Sequence, residues 1–95
     1  MLTGIPPADS DVVLVLNAGS DAGYRTARDL LAGGRRVAVV SRYPTDLARI
    51  LHGYDSSRVL ALAADTDVRE QWDRVASRVE SRLGPIGRII HAAGR

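Results

Sequence analysis

The sequence predicts an α/β fold in which a parallel sheet carries helices on both faces. Four short apolar runs alternate with three segments whose apolar residues recur at helical spacing. The runs are apolar at consecutive positions, which is typical of strands that are covered on both faces. Strand–helix–strand units form right-handed crossovers almost without exception, and such crossovers place consecutive strands parallel to each other.

The first strand–turn–helix unit lies near the amino end of the chain. Residues 12–16 form the first apolar run, residues 17–23 are mostly small, and a helix is predicted over residues 22–32. Gly33 and Gly34 supply a stop signal for this helix. A strand, a glycine-bearing turn and a helix N-terminus in this order form the arrangement by which α/β folds hold the phosphates of a nucleotide.

The next predicted elements are two strands with a short helix between them. Residues 36–41 predict the second strand, and residues 58–64 predict the third. Between them, Pro44 suits the first turn of a helix that ends at Gly53. The apolar face of this helix comprises Leu47, Ile50 and Leu51.

The clearest helical pattern follows the third strand. Asp67 and Glu70 have the spacing of an approximate capping box at the helix start, and Gly84 and Pro85 terminate the helix. Residues 87–91 then predict the fourth strand. The apolar stripe of the helix, which we assign to the core, comprises Val68, Trp72, Val75 and Val79.

The composition indicates one small globular domain over residues 11–95, after a flexible leader over residues 1–10. Of the residues, 45% are hydrophobic and 25% are charged. No apolar run approaches the roughly 20 residues of a membrane span, and the leader lacks the features of a signal peptide. We therefore expect a cytoplasmic protein that does not contact a membrane. The absence of cysteine excludes a disulfide framework and a thiolate nucleophile, and two histidines make a weak case for a metal.

All thirteen basic residues are arginine, and the formal net charge is +2. Acidic residues are interspersed among them, aromatic residues do not interleave with them, and no predicted helix is basic along one side. We therefore interpret the arginines as a solvated surface and expect no nucleic-acid partner. Those in predicted outer faces and turns are Arg25, Arg28, Arg35, Arg36, Arg69, Arg74, Arg78, Arg82 and Arg88.

Four local motifs give the chain a resemblance to a known family. The first motif, VLNAGSDAGYRTARDLL, compares with a T-G-x-x-x-G-x-G turn and the helix that follows it. The second is VAVVSR at the second strand, and the third is AADTD after the third strand. The fourth is HAAG, which stands in place of N-N-A-G. With these motifs the chain resembles the N-terminal portion of the short-chain dehydrogenase/reductase family. His91 replaces an asparagine of the family motif, and this replacement resembles the ketoreductase domains of carbon-chain synthases. The resemblance implies a truncated Rossmann-like three-layer fold, with a four-stranded parallel sheet of order 3-2-1-4, three helices and a dinucleotide site.

The glycine turn departs from the family pattern. Leu16, Asn17 and Asp21 stand where the family has threonine, the first glycine and the second glycine, whereas Gly23 matches the third. A side chain at the second position obstructs the approach of the backbone to the pyrophosphate. Two interpretations of Asp21 stay open: it caps the helix and weakens cofactor binding, or the turn is a variant that still admits the cofactor.

The resemblance also implies residues for the adenosine end of the cofactor. Ser41 followed by Arg42 suits the 2′-phosphate of NADP in preference to NAD, although Arg42 can equally be a surface arginine. Asp65 matches an aspartate that contacts adenine, or else it ends the strand and helps to cap the next helix. His91 is interpreted as a packing residue at the strand end, not as a catalytic base. The implied cofactor-binding set is Asn17, Gly19, Ser20, Asp21, Ala22, Gly23, Ser41, Arg42, Asp65, Thr66, Ala92, Ala93 and Gly94.

No catalytic residue is assigned in these 95 residues. In the family, a Ser and a Y-x-x-x-K motif follow the fourth strand, and here the sequence contains no lysine. We therefore expect a dinucleotide-binding half-domain that binds NADP weakly and has no oxidoreductase activity by itself. One alternative is a non-catalytic interaction module that has lost the cofactor. The other is part of an oxidoreductase that another chain or a missing C-terminal region completes.

The fourth strand is expected to lie at an unpaired edge of the sheet. Ile89 and Ile90 would then occupy a strand that can serve as a template for another strand. We predict a homodimer that joins two fourth strands across a two-fold axis. The alternative is that a complementary C-terminal half covers this edge.

Overall fold

A computed structural model describes residues 12–43, 47–54 and 57–92. The predicted leader, the residues around Pro44, and the site residues Ala93 and Gly94 lie outside the described residues. Within them the elements are β1 (Val12–Leu16), α1 (Asp21–Ala32), β2 (Arg36–Ser41), α2 (Ala48–Leu51), β3 (Val59–Ala63), α3 (Arg69–Arg82) and β4 (Arg88–His91).

The strands form one parallel sheet in the order β3-β2-β1-β4. Strand β1 lies inside this sheet, where Leu14 pairs with Ala38 of β2 and with Ile89 of β4. The first four residues of β1 are fully buried, which accounts for their consecutive apolar side chains. The predicted fold class and the strand order 3-2-1-4 are both confirmed.

Helices cover both faces of the sheet, as the sequence predicts. Alternate residues of a strand point to opposite faces, so each strand contributes to two separate cores. The α1/α2 face is built on Val13, Val15, Ala18, Ala27, Leu31, Val37, Val39, Leu47, Ile50, Val59 and Ala92. The α3 face is built on Val12, Leu14, Ala38, Val40, Val75, Val79 and Leu83, and the half-buried Trp72 packs against it.

The start of α3 differs from the prediction. The N-cap residue is Val68, without a side-chain capping bond, so the capping box predicted for Asp67 and Glu70 is wrong. The backbone N–H of Asp67 donates to Asp65 Oδ1 at 3.0 Å, and the Asp65 N–H donates to Gln71 Oε1 at 2.7 Å. Val68 is 39% exposed and does not belong to the core stripe. The loop before α3 is therefore organised around Asp65.

Three arginines cap the C-terminal ends of helices to which they do not belong. Arg28 donates to the carbonyl of His52 beyond α2, and Arg58 donates to the carbonyl of Leu31 in α1, each at 2.7 Å. Arg36 donates in the same way to the carbonyl of Leu83 beyond α3. The last carbonyls of a helix lack partners within the helix, so a cation placed there satisfies them and complements the helix dipole. For the half-buried Arg28 and Arg36, the interpretation as solvated surface is wrong.

No helix among the described residues combines the length and the apolar character that crossing a bilayer requires.

Gly23 lies in the first turn of α1 at the point where the helix meets the backbone after β1. A Cβ atom at this position would lie 2.6 Å from Ala18 Cα and 2.7 Å from Asn17 O. Real Cβ atoms do not approach backbone atoms so closely, so only glycine permits the present distance between helix and turn. The matching glycine of the family pattern thus has a packing role that needs no ligand.

We expect Gly23→Ala to destabilise the protein by about 1–3 kcal/mol, the usual cost of overpacking. Gly33→Ala is the matched control, because a Cβ there meets only the carbonyl oxygens of Asp29 and Leu30 at 3.5 Å. Urea unfolding followed by circular dichroism measures both variants. Equal midpoints for the two variants would contradict the close approach at Gly23.

Candidate functional site

A cleft of about 150 Å³ opens at the carboxyl end of the parallel sheet. Ligands of open α/β sheets bind at this edge, because the loops after neighbouring strands converge there. The cleft brings together five of the predicted site residues with four others. Its lining residues are Asn17, Val40, Ser41, Arg42, Ala64, Asp65, Thr66, Asp67 and His91.

Asn17 joins the turn after β1 to the end of β4. Its φ is 58°, in the left-handed region that asparagine tolerates better than most residues and that glycine adopts freely. Its Nδ2 donates to the carbonyl of Ala92 at 3.1 Å. Asparagine therefore satisfies the backbone geometry at the first glycine position of the motif and adds a contact that glycine cannot make.

The N-terminus of α1 is capped by Ser20. The Ser20 hydroxyl accepts a hydrogen bond from the Gly23 N–H at 3.0 Å, and it lies 3.0 Å from Asn17 O, to which it donates. The interpretation of Asp21 as the helix cap is therefore wrong, because Asp21 is the first helical residue. The capping bond stays within the turn, as in other serine N-caps.

The exposed Asp21 carboxylate pairs with Arg49 of α2. The distance from Arg49 Nη2 to Asp21 Oδ1 is 3.2 Å, and the Asp21 side chain is 81% exposed. The Arg49 guanidinium also lies over the ring of Tyr24, at 4.1 Å from its centroid. The negative charge that replaces the second glycine therefore has a cation beside it.

Arg42 and Asp65 face each other across the cleft. The distance from Arg42 Nη2 to Asp65 Oδ2 is 3.6 Å, and the two side chains are 61% and 33% exposed. Ser41 is buried, and its hydroxyl accepts from the Tyr43 N–H at 3.3 Å. Asp65 also orders the loop before α3 through its bond from Asp67. The cleft thus places the Arg42 guanidinium and the Asp65 carboxylate at the ends of adjacent strands, with Asp67 as a second carboxylate in its lining.

The remaining predicted site residues have different positions. His91 is exposed and lines the cleft, so its interpretation as a packing residue is wrong, whereas Ala92 is buried. Five predicted residues lie in the turn and the first turn of α1 and do not line the cleft: Gly19, Ser20, Asp21, Ala22 and Gly23. Within the described part of the chain, no three His, Cys, Asp or Glu residues are grouped to hold a metal.

Sequence reasoning missed Gln71 as a residue that supports the site. Its side chain accepts from the Asp65 N–H at 2.7 Å and so fixes the loop that carries Asp65 and Thr66. The spacing of three residues that defines a capping box pointed to Glu70 instead. The sequence does show a glutamine in the first turn of the helix after the D-T-D segment. It does not show which backbone group this glutamine contacts.

A comparison with models of protein families identifies the family of this chain. The family model described as short chain dehydrogenase matches residues 11–95. The chain belongs to the short-chain dehydrogenase family. The resemblance predicted from the four motifs is therefore confirmed.

One curated relative shows how much of a short-chain dehydrogenase this chain spans. The chain is 26% identical over 88 residues to 2,3-dihydro-2,3-dihydroxybenzoate dehydrogenase of Bacillus subtilis (strain 168), covering 90% of this chain and 34% of that protein. The chain therefore spans about a third of the length of the curated relative it matches.

Two solved reductase structures are similar to this fold. A variant of actinorhodin polyketide ketoreductase with NADPH is 29% identical with a TM-score of 0.80, covering 93% of this chain and 34% of that one. A 3-ketoacyl-(acyl-carrier-protein) reductase of Brucella melitensis complexed with NADH is 28% identical with a TM-score of 0.72, covering 79% of this chain and 30% of that one. These similarities agree with the Rossmann-like architecture.

We expect Asn17→Ala to cost about 2 kcal/mol, combining a lost hydrogen bond of about 1 kcal/mol with a left-handed backbone penalty of about 1 kcal/mol. Asn17→Gly removes only the bond to Ala92. Glycine should therefore be the less damaging variant in urea unfolding measurements. If alanine is tolerated as well as glycine, the left-handed conformation at Asn17 is contradicted.

Proposed function

We propose that this domain binds a nicotinamide dinucleotide in the cleft, with NADP preferred to NAD. The observation that carries the proposal is the placement of Arg42 opposite Asp65 at the carboxyl end of a short-chain dehydrogenase sheet. The similar ketoreductase was solved with NADPH and the similar Brucella melitensis reductase with NADH, which supports a ligand of this class.

The residues in the cleft fit the adenosine end of such a ligand. A carboxylate such as Asp65 accepts a hydrogen bond from the exocyclic amine of adenine, and a guanidinium such as Arg42 binds a 2′-phosphate. The N-terminus of α1 supplies a partial positive charge for phosphates, and Arg49 offsets the charge of Asp21 beside it. When bound, the dinucleotide would supply hydride in its reduced form or accept it in its oxidised form, while these side chains would bind and orient it.

We further propose that hydride transfer requires residues from another segment. The 95 residues contain no lysine, so the Y-x-x-x-K motif that the family resemblance implies has no match in them. The tyrosines Tyr24, Tyr43 and Tyr54 all precede α3, and none of them lines the cleft. Oxidoreductase activity would therefore be a property of this domain together with that segment.

NADPH titration by calorimetry tests the cofactor proposal. We expect Arg42→Ala to weaken NADPH binding about 10- to 100-fold, because a hydrogen bond to a charged group contributes about 1.5–3 kcal/mol. NADH binding should not weaken, because NADH lacks the 2′-phosphate. Arg74→Ala, an exposed arginine of α3 outside the cleft, is the control for the change in net charge. No heat of binding at millimolar NADPH would contradict the proposal.

A second candidate function is a non-catalytic interaction module that no longer binds the cofactor. The exposed Asp21 carboxylate favours it, since that charge stands where the family pattern has the glycine nearest the pyrophosphate. On this alternative the parent chain does not bind NADPH, whereas Asp21→Gly does. Asp21→Asn separates the effect of the charge from that of the side-chain volume.

We also propose that two copies pair through β4 into one longer sheet. Strand β4 lies at the edge of the described sheet, and Ile89 is 49% exposed. A two-fold axis perpendicular to the sheet makes the two β4 strands antiparallel and keeps equivalent faces together. The two copies of one residue can then lie opposite each other, and centring the axis on Ile89 would bring two exposed apolar side chains into contact.

Single-cysteine variants test this pairing, because the chain contains no cysteine. Directly opposed residues of antiparallel strands have Cα atoms about 4.5–5.5 Å apart, which a disulfide can bridge. Ile89→Cys should therefore form a covalent dimer on oxidation. Ile90→Cys is the control, since its side chain packs on the α1/α2 face and in this register lies opposite Arg88. A monodisperse monomer in sedimentation at tens of micromolar would contradict the pairing.

A further inference from the structure

We propose that the ion pair between Arg42 and Asp65 couples two parts of the cleft, one for a base amine and one for a phosphate. A ligand with only the amine must separate the ion pair to reach Asp65, and a ligand with only the phosphate must separate it to reach Arg42. A ligand that carries both groups meets the cost of this separation only once. The inference rests on the proposed function and deepens it, because it makes recognition of the two groups cooperative.

Asp65 is the fixed member of the pair. Its Oδ1 accepts from the Asp67 N–H at 3.0 Å, and its own N–H donates to Gln71 Oε1 at 2.7 Å. Its side chain is 33% exposed, so about two thirds of its surface is already covered. The carboxylate therefore has a defined orientation, with Oδ2 as the oxygen that faces the cleft and Arg42.

Arg42 is the member that can move. Its side chain is 61% exposed and reaches Asp65 Oδ2 at 3.6 Å, longer than a direct hydrogen bond. Partly exposed ion pairs of this kind are weak, since solvent screens them and a long side chain must be ordered to form them. Separating the pair by rotating the arginine is accordingly a small cost.

The same two groups are the ones that a nucleotide would use. An exocyclic amine donating to Asp65 Oδ2 must approach the side of that oxygen that the Arg42 guanidinium faces at 3.6 Å. A phosphate bound by the Arg42 guanidinium draws the arginine away from the same oxygen. Either event therefore prepares the cleft for the other, and the coupling is reciprocal, as linkage requires.

Four ligands measure this coupling on the unmodified chain. They are NADPH, NADH and the analogue of each in which hypoxanthine replaces adenine, so that a carbonyl stands where the amine was. The 2′-phosphate should improve affinity by a larger factor for the adenine ligands than for the hypoxanthine ligands. The ratio of the two factors should be on the order of threefold, which corresponds to the small free energy of an exposed ion pair. Isothermal calorimetry gives all four dissociation constants.

Asp65→Asn supplies the second measurement, because asparagine keeps an oxygen for the Asp67 N–H and removes the charge that holds Arg42. In this variant the 2′-phosphate should improve affinity by the same factor for both bases. Asp73→Asn, on α3 outside the cleft, should leave the threefold difference in place.

The outcomes separate this inference from the proposed function. Equal phosphate factors for the two bases in the unmodified chain, with NADPH still bound, would overturn the coupling alone. A threefold difference that persists in Asp65→Asn would likewise overturn the role of the ion pair. If none of the four ligands binds the unmodified chain, the proposed function fails, and the coupling fails with it.

Discussion

The close approach of α1 to the turn after β1 is the constraint on which the other features of the site depend. Gly23 allows it, since a side chain at this position would overlap the backbone of Asn17 and Ala18. With the helix in this position, Ser20 reaches the Gly23 N–H and Asn17 reaches the carbonyl of Ala92. One missing side chain thus sets the positions of the helix start, the turn and the end of β4 relative to each other.

The parallel arrangement of the strands explains why the candidate residues meet although they are far apart in the sequence. The turn after β1, the residues after β2 and the loop after β3 all leave the sheet at the same edge, where His91 also ends β4. Asn17, Arg42 and Asp65 therefore line one cleft. The chemistry of the site follows from the strand order together with the polar residues that happen to stand at each strand end.

The strands could be predicted because strands covered on both faces show consecutive apolar residues, as the first four residues of β1 do. The strand order came from the family resemblance and not from periodicity. Helix caps were harder to predict. Ser20 and Asp21 are both capping residue types, and only the backbone geometry shows that Ser20 is the N-cap. Similarly, the spacing of Asp67 and Glu70 could not reveal that Asp65 and Gln71 take the backbone contacts.

The arginine caps have a consequence for how the helices open. Arg28, Arg58 and Arg36 lie 24, 27 and 47 residues from the carbonyls of His52, Leu31 and Leu83 that they contact. Helix ends normally fray independently, and their amides exchange with solvent through these small openings. Here each helix end is tied to a distant segment of the chain, so its opening requires the loss of a long-range contact. The arginines therefore link the opening of each helix C-terminus to a segment far away in the sequence, which for α3 is strand β2.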